Sequence, residues 1–187
     1  MPDYTELPTY EFLLKDEYYF KIMVEKLLKS KGDPQTTRKI CGCLRCDYTT
    51  NKSRVKKPMS QIRQVIKKME ALDYVTEADR KYLKELFSVF LTDHELCLCI
   101  LEKKWKAAKN LSKYLVDEGS KLIPLDGWTD IFNFCSIMEM IEKGESKESI
   151  QKTKVFKDTS YEIMRHKFMK DDYGELFPEM FEYMSKK

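Results

Sequence analysis

The chain has 187 residues, 42% apolar and 35% charged, which is enough to bury a core without metal or disulfide staples and too apolar for a disordered segment. A net charge of +3 is mild for a dedicated nucleic-acid binder, and six glycines and six prolines are too few for an all-β protein full of tight turns. No run approaches the ~18 apolar residues of a membrane span. The start MPDYTELPTY has neither a basic n-region nor an apolar h-region, so reduced thiols and a cytoplasmic or nuclear location are expected.

Helical periodicity runs through almost the whole chain. In residues 10–32, Phe20, Val24, Leu27 and Leu28 share one face with Tyr19 and Met23 beside it, and Gly32 stops the pattern. Asp33 followed by Pro34 reads as the cap and first position of a new helix. The basic stretch NKSRVKKP (51–58) is read as a solvated loop in preference to a phosphate-binding patch. The next helix is expected to start at Ser60 and to bury Ile62, Ile66 and Met69, with Val65 beside them. Thr76 and Asp79 resemble a capping box ahead of Leu83, Leu86, Phe87 and Phe90, and Thr92 with Glu95 repeats the signal. Residues 105–119 place Trp105, Ala108, Leu111 and Leu115 on one stripe and end at Gly119. Residues 125–144 place Trp128, Ile131, Phe132, Cys135 and Met138 inside. The segment 143–171 is polar at first and irregular, a long connection with at most one short helix. A last helix follows Gly174 with Leu176, Phe177, Met180 and Phe181. No strand stands out, and the expected fold is a compact all-α domain of about eight to ten helices.

Three of the six cysteines lie in CGCLRC (41–46). This spacing can supply thiolates to zinc. On a helix, however, residues two apart point about 200° from each other, so Cys41 and Cys43 diverge while Cys43 and Cys46 can share a face. No fourth ligand is close in sequence, since His94, Cys97 and Cys99 are distant. The cysteines are therefore read as small core hydrophobes. His94, at an expected helix start, and His166 are read as surface histidines. No P-loop, glycine-rich nucleotide fingerprint, HExxH or calcium loop is present, and no pair of carboxylates is singled out. The expected activity is recognition and not bond-making, with no catalytic residue, metal or cofactor.

The residues LSKYLVDEGSKLIPLDGWTDIFNFCSIM (111–138) resemble the defective-in-cullin-neddylation family. Its helical domain turns through an Ile-Pro/Ser-x-Asp-x-Trp motif into a long apolar helix; here the motif is Ile123, Pro124, Leu125, Asp126, Gly127 and Trp128. YLKELFSVFL (82–91) is similar to the family's aromatic-rich helix, and YGELFPEMFEY (173–183) looks like its tail. The resemblance implies a single potentiating-neddylation-like domain over 1–187. Its half at about 10–75 would be EF-hand-like without calcium, and its half at 76–187 would be helical with the long connection at 143–171.

The resemblance further implies a non-catalytic co-ligase. Such proteins hold the C-terminal winged-helix domain of a cullin and the neddylation conjugating enzyme, through its acetylated N-terminus, while the RING subunit assists transfer. The contribution would be proximity and orientation. The cullin-binding acidic patch would map to Asp126, Asp172 and the neighbourhood of Pro178, where Glu179 supplies the charge. Tyr173 and Gly174 stand in place of the family's Trp-Pro, which marks a divergent member. The apolar pocket for the conjugating enzyme would use Phe90 and Cys99. Neither nucleic acid nor membrane is an expected partner. The alternatives are a helical metal-binding regulator using CGCLRC with His94 or Cys97, and a helical nucleic-acid binder using 51–58.

Overall fold

The computed structural model describes residues 8–158. The first helices are α1 (Tyr10–Lys15), α2 (Glu17–Lys29) and α3 (Pro34–Cys41), followed by a 3₁₀ turn (Gly42–Leu44). The long pair α4 (Ser53–Glu70) and α5 (Glu77–Leu101) comes next. Then α6 (Trp105–Tyr114) runs through a π turn (Leu115–Gly119) into α7 (Ser120–Leu122). The helices α8 (Trp128–Glu142), α9 (Lys147–Gln151) and α10 (Lys154–Lys157) complete the described chain. With α6, the π turn and α7 taken as one continuous helix, the described residues hold nine helices and no strand. The all-α architecture is the one expected.

The centre of the fold is α5. Its 25 residues bury Leu83, Leu86, Phe87, Val89, Phe90 and Leu96 completely, with α4 packed on it from one direction and α6 from another. In turn α8 covers α6, α1 lies against α4, and α9 and α10 dock on α8 through Ile150 and Phe156. One contiguous buried cluster draws residues from Tyr10 to Phe156. None of the helices formed by the described residues is long and apolar enough to cross a membrane.

Several boundaries differ from the sequence pattern, each for a local reason. The amphipathic run 10–32 is two helices, because Asp16 is extended (φ −110°, ψ 104°) and its carboxylate accepts from the Tyr19 amide at 2.8 Å. A short acidic side chain that bonds its own downstream backbone ends one helix and caps the next. The basic stretch 51–58 is not a loop: α4 already begins at Ser53. Asn51 Oδ1 accepts from the Ser53 amide (3.0 Å) and hydroxyl (2.7 Å), and Val55 is buried under the first turn. Pro58 lies inside α4, where its ring leaves the Arg54 carbonyl without the usual amide four residues on.

Thr92 does not start a helix. It lies within α5, and its hydroxyl donates back to the Ser88 carbonyl at 2.9 Å. Thr76 is a genuine cap, accepting from the Asp79 amide at 3.1 Å. Ile66, Leu111 and Phe132, read as core, are only half-buried; Val65 and Ser112 are the buried neighbours. The described part of 143–171 holds two short helices with buried anchors where at most one was expected. The helix after Gly174 and His166 lie outside the described residues.

The six cysteines are not alike. Cys41, Cys46, Cys97 and Cys135 are buried, Cys99 is half-buried and Cys43 is exposed. Burial pushes the Cys41 thiol up to about 12 and raises Cys135 as well. The thiolate is the reactive form. A maleimide is therefore expected to label Cys43 first on the native protein and Cys99 more slowly. The buried four should react only after denaturation, as read by intact-mass spectrometry and peptide mapping. Equal labelling of all six in the folded protein would contradict this placement.

Candidate functional site

The turn between α7 and α8 carries the Ile-Pro-Leu-Asp-Gly-Trp motif. Ile123 is fully buried, Leu125 and Trp128 nearly so, and they anchor both ends. Gly127 sits at φ +103°, ψ −15°, in the left-handed region that favours glycine, and caps α8. Between the anchors the side chain of Asp126 is 69% exposed. It lies one residue before the cap, outside the helix itself. Arg38 Nη2 of α3 donates to Asp126 Oδ2 at 2.6 Å, and Arg45 Nη2 donates to the Asp126 carbonyl at 2.8 Å. An exposed pair of this kind contributes about 0.2–1 kcal/mol.

Beneath the turn lies a buried carboxylate that periodicity did not reveal. Asp93, in the middle of α5, has no solvent exposure. Its Oδ2 accepts from the Cys46 amide at 2.9 Å. Its Oδ1 accepts from the Tyr48 hydroxyl at 2.6 Å and from Trp128 Nε1 at 2.9 Å. All three neighbours are donors, so an acceptor-only group fits. Burial, reinforced by the Asp93 charge, raises the Tyr48 phenol well above its usual range and keeps it a donor. Tyr48 itself has φ +51°, uncommon for an aromatic residue, and its bond to Asp93 holds it there. One helix thereby joins the irregular segment after the 3₁₀ turn to the Trp128 end of the motif.

The cysteine segment serves the same assembly. Cys41 Sγ donates to the Thr37 carbonyl (3.1 Å), Cys43 Sγ to the Pro8 carbonyl (3.3 Å), and Cys46 Sγ accepts from the Tyr48 amide (3.4 Å). Cys46 is also close to Cys97, and that thiol contact, with burial behind it, pushes its pKa up strongly. Among the described residues no three His, Cys, Asp or Glu side chains are grouped to hold a metal ion. Here a residue expected to curl through a continuous helix, Cys43, instead leaves it, because α3 ends at Cys41.

The other residues proposed from sequence fall as follows. Phe90 is fully buried in α5, with its ring 5.9 Å from that of Phe87. Cys99 is half-buried on the same helix. Nine residues at about 100° each place the two on opposite sides of α5, about 13 Å apart along its axis. Asp172 and Glu179 lie outside the described residues. His94 is not a surface residue: it is 3% exposed within α5, and its Nδ1 donates to the Phe90 carbonyl at 2.7 Å. Arg38 and Arg45, which flank Asp126, were not singled out; only their charge was visible. Asp93 and His94 had one visible signal. They fall three and four residues after Phe90, so the buried stripe of α5 carries a carboxylate and an imidazole.

The fold and the turn define an all-α domain in which a rigid surface loop is mounted on a buried polar hub. No protein-family model matches the chain, and no curated protein or solved structure matches it.

Proposed function

We propose that this chain is a non-catalytic co-ligase of the cullin-neddylation type, which holds a cullin and the conjugating enzyme together without a reacting side chain of its own. The observation that supports the reading is the Asp126 turn: an exposed carboxylate on a loop whose ends, Ile123 and Trp128, are both buried. Such a carboxylate suits a basic surface, here that of the cullin C-terminal winged-helix domain. The ion pair with Arg38 is no barrier, because an exposed pair costs about 0.2–1 kcal/mol to break. In this reading the helices of residues 10–75 are the counterpart of an EF-hand-like half without calcium. Asp172 and Glu179 would extend the acidic surface, and the RING subunit would join the assembly. The contact with the acetylated N-terminus of the conjugating enzyme rests on Cys99, since Phe90 is reached only through the core. The location implied is cytoplasmic or nuclear.

The test is calorimetry of the full chain against the cullin domain and against the acetylated N-terminal peptide, both from the same organism. Micromolar binding to each is expected. Asp126→Ala should weaken the cullin contact at least about tenfold, the worth of one charge-assisted contact. Arg38→Ala should leave it intact or strengthen it, because that ion pair then no longer competes with the partner. Absence of binding by the folded chain, or an unchanged affinity for Asp126→Ala, would sink the proposal.

A further inference from the structure

A cavity of about 260 Å³ opens between the start of α1, the 3₁₀ segment and the first two turns of α4. Because α4 begins at Ser53, Arg54, Lys57 and Gln61 come onto one face of that helix, at the i, i+3, i+7 spacing, and all three line the cavity. Arg45 reaches it from the segment after the 3₁₀ turn, with its Nη2 given to the Asp126 carbonyl and its other N–H groups left for a ligand. His94 lines it from α5. That histidine is nearly fully buried and its Nδ1 is committed to the Phe90 carbonyl, so the opposite edge of the ring, Nε2, is the one without a partner among the described residues.

The charge balance of the cavity favours an anion. Three cations face two carboxylates, Glu11 and Asp47. Glu11 is already bonded to Lys15 Nζ at 2.5 Å, which, with Lys57 further off, holds its pKa down. Among the described residues neither Arg54 nor Lys57 is in an ion pair. Arg54 and Lys57 without an ion pair, with Arg45 and the Gln61 amide around the same concavity, match the several acceptor oxygens of a compact dianion. The volume holds one such group and a few further atoms, which is too small for a polynucleotide.

We propose that this cavity binds a phosphomonoester, with Arg54, Lys57 and Arg45 on the phosphate oxygens and Gln61 completing the hydrogen bonds. The group could be carried by a phosphorylated side chain of a partner or by a free small molecule, and the two are separable by experiment.

The full chain, ¹⁵N-labelled, is titrated with N-acetylphosphoserine amide, a phosphoserine peptide, glycerol 3-phosphate and inorganic phosphate, with a phosphodiester oligonucleotide for comparison. Saturable shifts confined to the cavity lining, at Thr9–Glu11, Cys43–Asp47, Arg54–Gln61 and His94, are expected with the monoesters. Arg54→Ala and Lys57→Ala, both at exposed positions, should each weaken binding about fivefold to tenfold. Arg63→Ala, exposed on α4 but outside the cavity, should leave it unchanged. A phosphoserine peptide that binds more tightly than the small esters assigns the site to a partner's phosphorylated residue; equal affinities assign it to a free phosphomonoester. The proposal is overturned if no shift saturates, if Arg63→Ala weakens binding as much as Arg54→Ala, or if the oligonucleotide binds more tightly than every monoester.

Discussion

Replacing Asp93 with asparagine is expected to destabilise the fold by about 2–4 kcal/mol, although the two side chains are nearly the same size. The carboxylate accepts from the Cys46 amide, the Tyr48 hydroxyl and Trp128 Nε1, and none of these can reverse its role fully. An amide offers one acceptor oxygen and turns two N–H bonds toward donors. Each buried donor left unmatched costs about 1–3 kcal/mol. Tyr48→Phe removes only one donor and should cost less, about 1–2 kcal/mol. Urea unfolding followed by tryptophan fluorescence checks both. An Asp93→Asn protein within about 0.5 kcal/mol of the parent, the range of an ordinary surface change, would mean that the hub does not hold the fold together.

The second large effect is expected at Gly119, where the reason is space. Gly119 has ordinary right-handed backbone angles (φ −60°, ψ −38°), so no glycine is required for conformation. A Cβ there would meet Leu115 Cδ2 at 3.2 Å, Val89 Cγ1 at 3.4 Å and Trp128 Cζ3 at 3.5 Å. The π turn and α5 thus close on each other at this point, with the Trp128 indole against both. Gly119→Ala pits a helix-propensity gain of up to about 1 kcal/mol against a contact that the flexible end of Leu115 can relieve, so the net change should be small. Gly119→Val adds two methyl groups with nowhere to go and should cost about 2–4 kcal/mol through overpacking and displacement of the indole. Thermal unfolding of the two variants side by side decides: a valine variant as stable as the alanine one would show that this approach is looser than the distances imply.

Much of the fold could be read from local pattern, and the reason is that its determinants are local. Asp33–Pro34 and Thr76 cap helices through bonds to amides three residues on, and the sequence displays both partners together. The Trp128 helix announced itself by its apolar stripe. The same locality misled where two local readings compete. Thr92 and Glu95 have the spacing of a cap, but inside a helix that is already packed the threonine hydroxyl simply bonds one turn back. Asp16 sits on a periodic stripe as an exposed residue would, yet it breaks the stripe. The basic residues and Pro58 disguised the start of α4.

The candidate site was legible only in part, because its partners are remote along the chain. Asp126 was visible in its motif, but Arg38, its ion-pair partner, lies 88 residues away. The donors to Asp93 lie 35 to 47 residues away, so nothing near position 93 indicates them.

The hub also bears on the thermodynamics of association. A surface loop usually surrenders conformational entropy when a partner docks, and that loss subtracts from affinity. Here the loop ends at Trp128, whose indole is tied to Asp93, and starts at the buried Ile123, so most of that ordering is complete once the chain has folded. Whatever docks at Asp126 meets a preorganised surface. Loosening Asp93 or Gly119 should therefore weaken docking through entropy, from positions the partner never touches.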